Sequence, residues 1–128
     1  NFKLMSILGI GIDIVEINRI KKILKVNRTF VDKIYTKYEK TSCVGNKKVY
    51  CFAKRYAAKE AFVKALGLGL RQGMQWSEIQ VLNDALGKPS LKLSGEAQRL
   101  FDASGATAAH ITLSDEADYA VAFVVLER

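Results

Sequence analysis

The chain reads as an α+β domain: a mostly antiparallel sheet packed with one long helix and several shorter ones. Three observations predict this. Apolar segments follow the order strand, helix-rich stretch, two strands, helix, two strands, which sets successive strands side by side and antiparallel. The chain has 128 residues, one domain's length, with no internal repeat or linker-like stretch. Apolar residues make up 49% and charged residues 26%, an ordinary globular composition that excludes a disordered chain. The longest apolar runs, Ile7–Ile12 and Tyr119–Leu126, fall well short of the ~18 residues a membrane span needs. The domain is expected to run from Met5 to Arg128, with Asn1–Leu4 as leader residues, and no secretory signal pattern precedes it.

Each element has a local reason. Ile7–Val15 is isoleucine-rich and predicts a strand buried on both faces. Its period of two sets Gly9, Gly11 and Asp13 on one face and Leu8, Ile10, Ile12 and Ile14 on the other. The glycine face admits another backbone or a ligand at close range. Glu16–Lys25 predicts a helix with Ile17, Ile20, Ile23 and Leu24 on one side and Arg19, Lys21, Lys22 and Lys25 opposite, Arg28 following shortly after. Phe30–Glu39 predicts a further helix and Lys40–Lys48 a loop. Val49–Leu66 lacks proline and glycine, is rich in alanine and ends at Gly67, so it predicts the long helix. Ile79–Leu82 and Ser90–Leu93 are strands flanking the turn at Gly87-Lys88-Pro89, and Gly95–Ala103 is a helix. His110–Ser114 and Tyr119–Leu126 are strands joined by a polar turn. The last strand is apolar on both faces in a chain with few helices to cover it, which favours a subunit interface. Cys43 and Cys51 are eight apart, form no CxxC, and are expected as reduced thiols.

Charge is uneven. Residues 1–64 carry fifteen Lys/Arg against five Asp/Glu, a net of +10, whereas residues 65–128 carry five against eight, a net of −3. A basic half calls for an acidic partner, whether nucleic acid, anionic lipid, phosphorylated small molecule or acidic protein. On the long helix, Phe52, Ala53, Tyr56, Ala57 and Val63 fall within an arc of roughly 140°, with Glu60 in its middle and Lys64 inside it. A surface Glu–Lys pair would lie on the polar face, so a carboxylate here needs a cation or a proton. Asp13 is a second carboxylate, at the end of the glycine face, where its bland role is to cap the following helix. Two such carboxylates suit a hard cation such as Mg²⁺, which takes its remaining ligands from waters and substrate phosphates. Arg55, Lys59 and Lys64 would suit those phosphates. His110 is the only histidine. Zinc spacing, a nucleophile elbow and a complete dinucleotide fingerprint are all missing.

Two long motifs carry a resemblance. Gly9-Ile10-Gly11-Ile12-Asp13-Ile14-Val15-Glu16-Ile17, with Arg19-Ile20 close behind, resembles the opening of bacterial holo-[acyl-carrier-protein] synthases. The run Phe52-Ala53-Lys54-Arg55-Tyr56-Ala57-Ala58-Lys59-Glu60-Ala61-Phe62-Val63-Lys64-Ala65-Leu66-Gly67 resembles their second signature, and Gly87-Lys88-Pro89 and His110-Ile111-Thr112-Leu113-Ser114 are further matches. That family is the short, homotrimeric branch of the 4′-phosphopantetheinyl transferases. The resemblance implies transfer of phosphopantetheine from coenzyme A to a serine of apo acyl carrier protein, releasing 3′,5′-ADP, in support of fatty acid biosynthesis in the cytoplasm. It implies Asp13 and Glu60 as Mg²⁺ ligands, Glu60 and Lys64 as catalytic residues, and Arg55, Lys64, Lys88 and His110 on coenzyme A. Arg19, Lys22, Lys25 and Arg28 would meet the acidic carrier protein. One position departs: Asp115 stands where many relatives have a second histidine. A small basic RNA-binding module would explain the charge as well, but not Glu60 in an apolar arc, and no aromatic series interleaves the basic residues.

Overall fold

The structure, a computed structural model, describes residues 4–69 and 73–128. Residues 1–3 of the expected leader lie outside it. Strand β1 (Ile7–Glu16) leads into helix α1 (Ile17–Val26), then the short helices α2 (Arg28–Ile34) and α3 (Lys37–Ser42) and the long α4 (Lys48–Leu66). A 3₁₀ turn at Trp76–Glu78 precedes the hairpin β2 (Ile79–Asn83) and β3 (Pro89–Leu93); α5 (Gly95–Ala103) and the hairpin β4 (Ala108–Glu116) and β5 (Tyr119–Glu127) complete the chain. Every strand pair is antiparallel, as expected, but the strands divide into two sheets, β1-β5-β4 and β2-β3.

Helix α4 is the axis of the molecule. The arc reading gave it one core face, yet Phe52, Arg55, Ala57, Lys59, Phe62 and Val63 are all buried, on every side. A helix covered all round belongs in the middle of a fold. Its alanines let the sheet approach: a Cβ at Gly11 would overlap the Ala61 carbonyl oxygen and lie 2.7 Å from the Ala65 nitrogen, and one at Gly9 would crowd Ala65. Two residues of strand and four of helix both advance by about 6–7 Å, so each second strand residue meets a new helical turn. Gly67, with φ of +77°, then ends the helix in the left-handed conformation that glycine adopts freely.

The stretch expected as one helix over Phe30–Glu39 is two. Tyr35 is extended, and Thr36 starts α3 with a capping box: the Glu39 amide donates to Thr36 Oγ1 at 3.2 Å, and the Thr36 amide donates to Glu39 Oε1 at 2.9 Å. The expected loop is correspondingly shorter, beginning after Ser42. Cys43 and Cys51 are not free thiols: they form a disulfide that joins the end of α3 to the first turns of α4, with Cα atoms 5.6 Å apart. The turn between the two helices brings the residues together, which an eight-residue spacing with no local motif does not reveal.

One ion pair lies fully inside. Lys59 Nζ donates to Glu39 Oε1 at 2.8 Å, Ile79 O at 2.7 Å and Trp76 O at 3.2 Å, while the Val81 amide donates to Glu39 Oε2 at 2.8 Å. Both side chains are 0% exposed. Burial holds the Lys59 ammonium below its ordinary pKa, and Glu39 opposes that. The pair clamps α3, α4 and β2 together; removing one partner of such a pair costs about 3–5 kcal/mol because the other is left charged and unpaired. Lys59 is therefore sequestered from any substrate phosphate, contrary to its sequence reading.

Strand β1 is covered on one face only. Gly11, Val124 and Ile111 form a row facing the core, followed by Asp13, Ala122 and Leu113. The opposite face carries Ile10, Val125 and His110, then Ile12, Phe123 and Thr112. Ile10, Ile12 and Ile14 are 61%, 60% and 62% exposed, so within one chain the expected burial of both faces is not met.

Candidate active site

Strand β1 and helix α4 bring Asp13 into contact with Lys64, one helical turn from Glu60. Asp13 follows Gly11 on the inner face of β1. It does not cap α1, whose preceding residue is Glu16 without a side-chain cap. Its carboxylate instead accepts from Lys64 Nζ at 3.1 Å, and the same ammonium donates to the Ile12 carbonyl at 3.0 Å. The Lys64 side chain is 54% exposed and that of Asp13 14%. Glu60 lies one turn before Lys64 and is half-buried; its Oε1 accepts from the Tyr56 hydroxyl at 3.0 Å. The result is an ammonium held between a carboxylate and a backbone carbonyl, with a second carboxylate one helical turn away along α4. That donor set fits a hard cation that keeps open positions for phosphate. Among the described residues no cluster of three or more His, Cys, Asp or Glu forms a closed metal site.

Arg55 lies two to three turns earlier on α4, and is 4% exposed. Its guanidinium donates to Glu39 O at 3.1 Å, Ser42 Oγ at 2.7 Å and Asn83 Oδ1 at 3.1 Å. Three of its five N–H groups are thereby committed to the protein. Burial draws its pKa down, and Glu39 counters. Arg55 also lines a cleft of about 400 Å³ with Lys47, Tyr50, Lys54, Asn83, Gly87, Pro89, Leu113 and Asp115. Lys88 is exposed in the β2–β3 turn at this cleft's rim, between Gly87 and Pro89. The turn is held by Asn83 Nδ2, which donates to Gly87 O at 3.1 Å. Asp115, the residue that departs from the resemblance, pairs with Lys54 at 3.0 Å and so offsets part of the cleft's positive charge.

His110 stands elsewhere. It lies on the outer face of β4, with Nε2 2.9 Å from Glu127 Oε1, whereas Asp13 lies on the inner face of the same sheet. Within one chain the structure therefore does not bring His110 to Arg55 or Lys64. Arg19, Lys22, Lys25 and Arg28 are all exposed along α1 and the start of α2, opposite the buried Ile17 and Ile20, as the helical spacing predicts. The Arg19 guanidinium sits over the Tyr56 ring, 5.7 Å from its centroid.

The sequence reading did not single out Asn83 or Lys54, which build the cleft, nor the hydroxyl of Tyr56. For Tyr56 a signal existed: Tyr and Glu four apart on a helix are neighbours on its surface. Asn83 had none, since its partner Arg55 is far away in sequence.

The fold and site define an α+β domain in which β1 and α4 bring a carboxylate and a lysine together and α4 carries Glu60 and a buried arginine as well. The model of the 4′-phosphopantetheinyl transferase superfamily matches residues 9–124. A holo-[acyl-carrier-protein] synthase of Trichlorobacter lovleyi is 52% identical over 123 residues, covering 94% of this chain and 98% of that protein. The crystal structure of the holo-[acyl-carrier-protein] synthase of Neisseria meningitidis superposes with a TM-score of 0.86 at 38% identity, covering 96% of this chain and 100% of the other. That of Bacillus anthracis, in complex with CoA (3′,5′-ADP), gives 0.78 at 38% identity, covering 97% and 98%. The chain belongs to the 4′-phosphopantetheinyl transferase superfamily, in its holo-[acyl-carrier-protein] synthase branch.

Proposed function

We propose that this chain moves the 4′-phosphopantetheine group of coenzyme A onto a serine of an apo acyl carrier protein, with Asp13, Glu60 and Lys64 at the reacting phosphates. The observation that carries the reading is the Lys64 ammonium held between Asp13 and the Ile12 carbonyl, one helical turn from Glu60. Asp13 and Glu60 would hold Mg²⁺, which supplies charge neutralisation and polarises the phosphoryl group under attack. Lys64, whose flexible side chain is half-exposed, would neutralise charge on the leaving 3′,5′-ADP. Positioning and electrostatics suffice for such a transfer, and no covalent enzyme intermediate is required. Arg55, roughly 7 Å along the helix axis from Glu60 and 13 Å from Lys64, keeps two N–H groups for the nucleotide's 3′-phosphate, with Lys88 on the facing rim. The carrier serine's proton would go either to Glu60 directly or to a water on the cation.

The assembly we propose is a homotrimer with the site between neighbouring chains. The outer sheet face, with Ile10, Ile12, Ile14 and Phe123 exposed, is too apolar to be left to water. Packing that face against a neighbour would bring His110 of one chain towards the nucleotide end of the next. Light scattering at micromolar concentration should return three chain masses; a stable, active monomer would remove the shared site. We place the reaction in the cytoplasm, the compartment the resemblance implies; among the described residues no helix is long and apolar enough to cross a membrane.

The reaction is tested by incubating the chain with apo acyl carrier protein, coenzyme A and Mg²⁺ and weighing the carrier. A gain of one phosphopantetheine is expected, and an unchanged mass would refute the reading. The carrier should dock on α1, where long-range attraction from Arg19, Lys22, Lys25 and Arg28 steers an acidic partner and fixes its orientation. Arg19→Glu is expected to raise the KM for the carrier at least about tenfold while leaving coenzyme A binding unchanged, since one bidentate charge-assisted contact is worth about 1.5–3 kcal/mol. Added salt should act in the same direction, because exposed charges are screened beyond ~8–10 Å. Carrier kinetics indifferent to both would place docking elsewhere.

A further inference from the structure

We infer that the Tyr56 hydroxyl is the positioning group for Glu60, holding its carboxylate in the geometry that accepts the cation. This rests on the reading of Glu60 as a metal ligand. Tyr56 is 8% exposed, with its ring between those of Phe30 and Trp76, at centroid distances of 6.2 Å and 6.3 Å. The Arg19 guanidinium closes over the ring at 5.7 Å. With these neighbours packed on its ring, the Tyr56 hydroxyl donates to Glu60 Oε1 at 3.0 Å.

The hydroxyl is the donor in this contact, so Oε1 of Glu60 is held by it. Glu60 needs this support more than Asp13 does. Asp13 is short and lies on a strand against the core, whereas Glu60 has three rotatable bonds at a half-buried helix position. Ordering such a side chain at the moment of binding weakens binding, and a hydrogen bond that orders it beforehand removes that loss. Hydrogen-bond partners of metal ligands typically contribute 10–100-fold to metal affinity.

The same contacts give Tyr56 a second face towards Arg19, on the helix proposed to receive the carrier protein.

The test is Tyr56→Phe, which removes only the hydroxyl and keeps the ring between Phe30, Trp76 and Arg19. Mn²⁺ replaces Mg²⁺ as a spectroscopic probe and is titrated, with coenzyme A present, into the parent, Tyr56→Phe and Glu60→Ala proteins. The Mn²⁺ Kd of Tyr56→Phe is expected to rise about tenfold. Its kcat should fall at limiting metal and recover at saturating metal, with the KM for the carrier unchanged and thermal stability within a few degrees of the parent. If Glu60→Ala loses Mn²⁺ binding and Tyr56→Phe binds as the parent does, the positioning role is refuted while the ligand reading stands. If Glu60→Ala itself binds Mn²⁺ normally, the ligand reading falls, and this inference with it. A Tyr56→Phe protein whose kcat loss is not restored by metal, or which melts far lower, overturns the role in favour of a purely structural one.

Discussion

Asp13→Ala and Glu60→Ala are each expected to reduce phosphopantetheine transfer by roughly 10²–10³-fold or more, the scale on which single electrostatic groups act in a water-excluded site. Neither carboxylate fills core volume. Asp13 is held at the sheet's inner face by Lys64 at 3.1 Å, and Glu60 by Tyr56 at 3.0 Å, so each truncation removes a charge and one hydrogen bond. Melting temperatures should therefore stay near that of the parent. The two variants should differ in one respect. Losing Asp13 frees Lys64 from its ion pair, so coenzyme A should bind Asp13→Ala in the absence of divalent metal at least as tightly as it binds the parent. Losing Glu60 leaves the Lys64–Asp13 pair intact. Mass spectrometry of the carrier and titration of coenzyme A measure both effects. Near-normal transfer by either variant at low Mg²⁺ would contradict the metal assignment.

Gly11→Ala is expected to have the largest effect on stability, about 3 kcal/mol or more, beyond what ordinary overpacking costs. The new methyl would overlap the Ala61 carbonyl oxygen, and its other near neighbours are backbone atoms of α4. No side-chain rotation relieves that contact; the strand and the helix would have to separate, opening the packing of β1 on α4. For a domain of this size the melting temperature should fall by roughly 10 °C or more. Gly45→Ala is the control. Gly45, unlike Gly11, has a positive φ, +80°, but a Cβ there meets nothing within 4 Å, so the cost should be near the ~1 kcal/mol of the backbone conformation alone. Equal melting temperatures for Gly11→Ala and the parent would show that β1 does not lie on α4 as described. The position also matters for function, because the closeness of β1 to α4 is what sets Asp13 beside Lys64.

What was legible in the sequence is what depends on neighbours along the chain. The spacing of isoleucines and lysines determined α1 and its two faces; the absence of glycine and proline between Val49 and Leu66, then Gly67, determined α4; alternation and turn residues determined the two hairpins. The bare face of β1 announced close packing, and the motif residues around Asp13 and Glu60 pointed to the candidate site. The split between α2 and α3 was also local, written in the Thr36–Glu39 capping box.

Tertiary structure decided the rest, because it depends on which surfaces meet. A lysine in an alanine-rich helix carries no mark of its surroundings, so that Lys59 is buried against Glu39 and Lys64 is exposed was settled only when α3 and β2 closed over one side of α4. Arg55 became part of a cleft wall through Asn83, and Cys43 met Cys51 through the turn between two helices. His110 and Asp13 went to opposite faces of one sheet because the register of β1, β5 and β4 fixes the face of every residue, and a shift of one residue would reverse it. Periodicity assigns a residue to a face of its own element; only the packing of elements decides whether that face meets core, solvent or another chain.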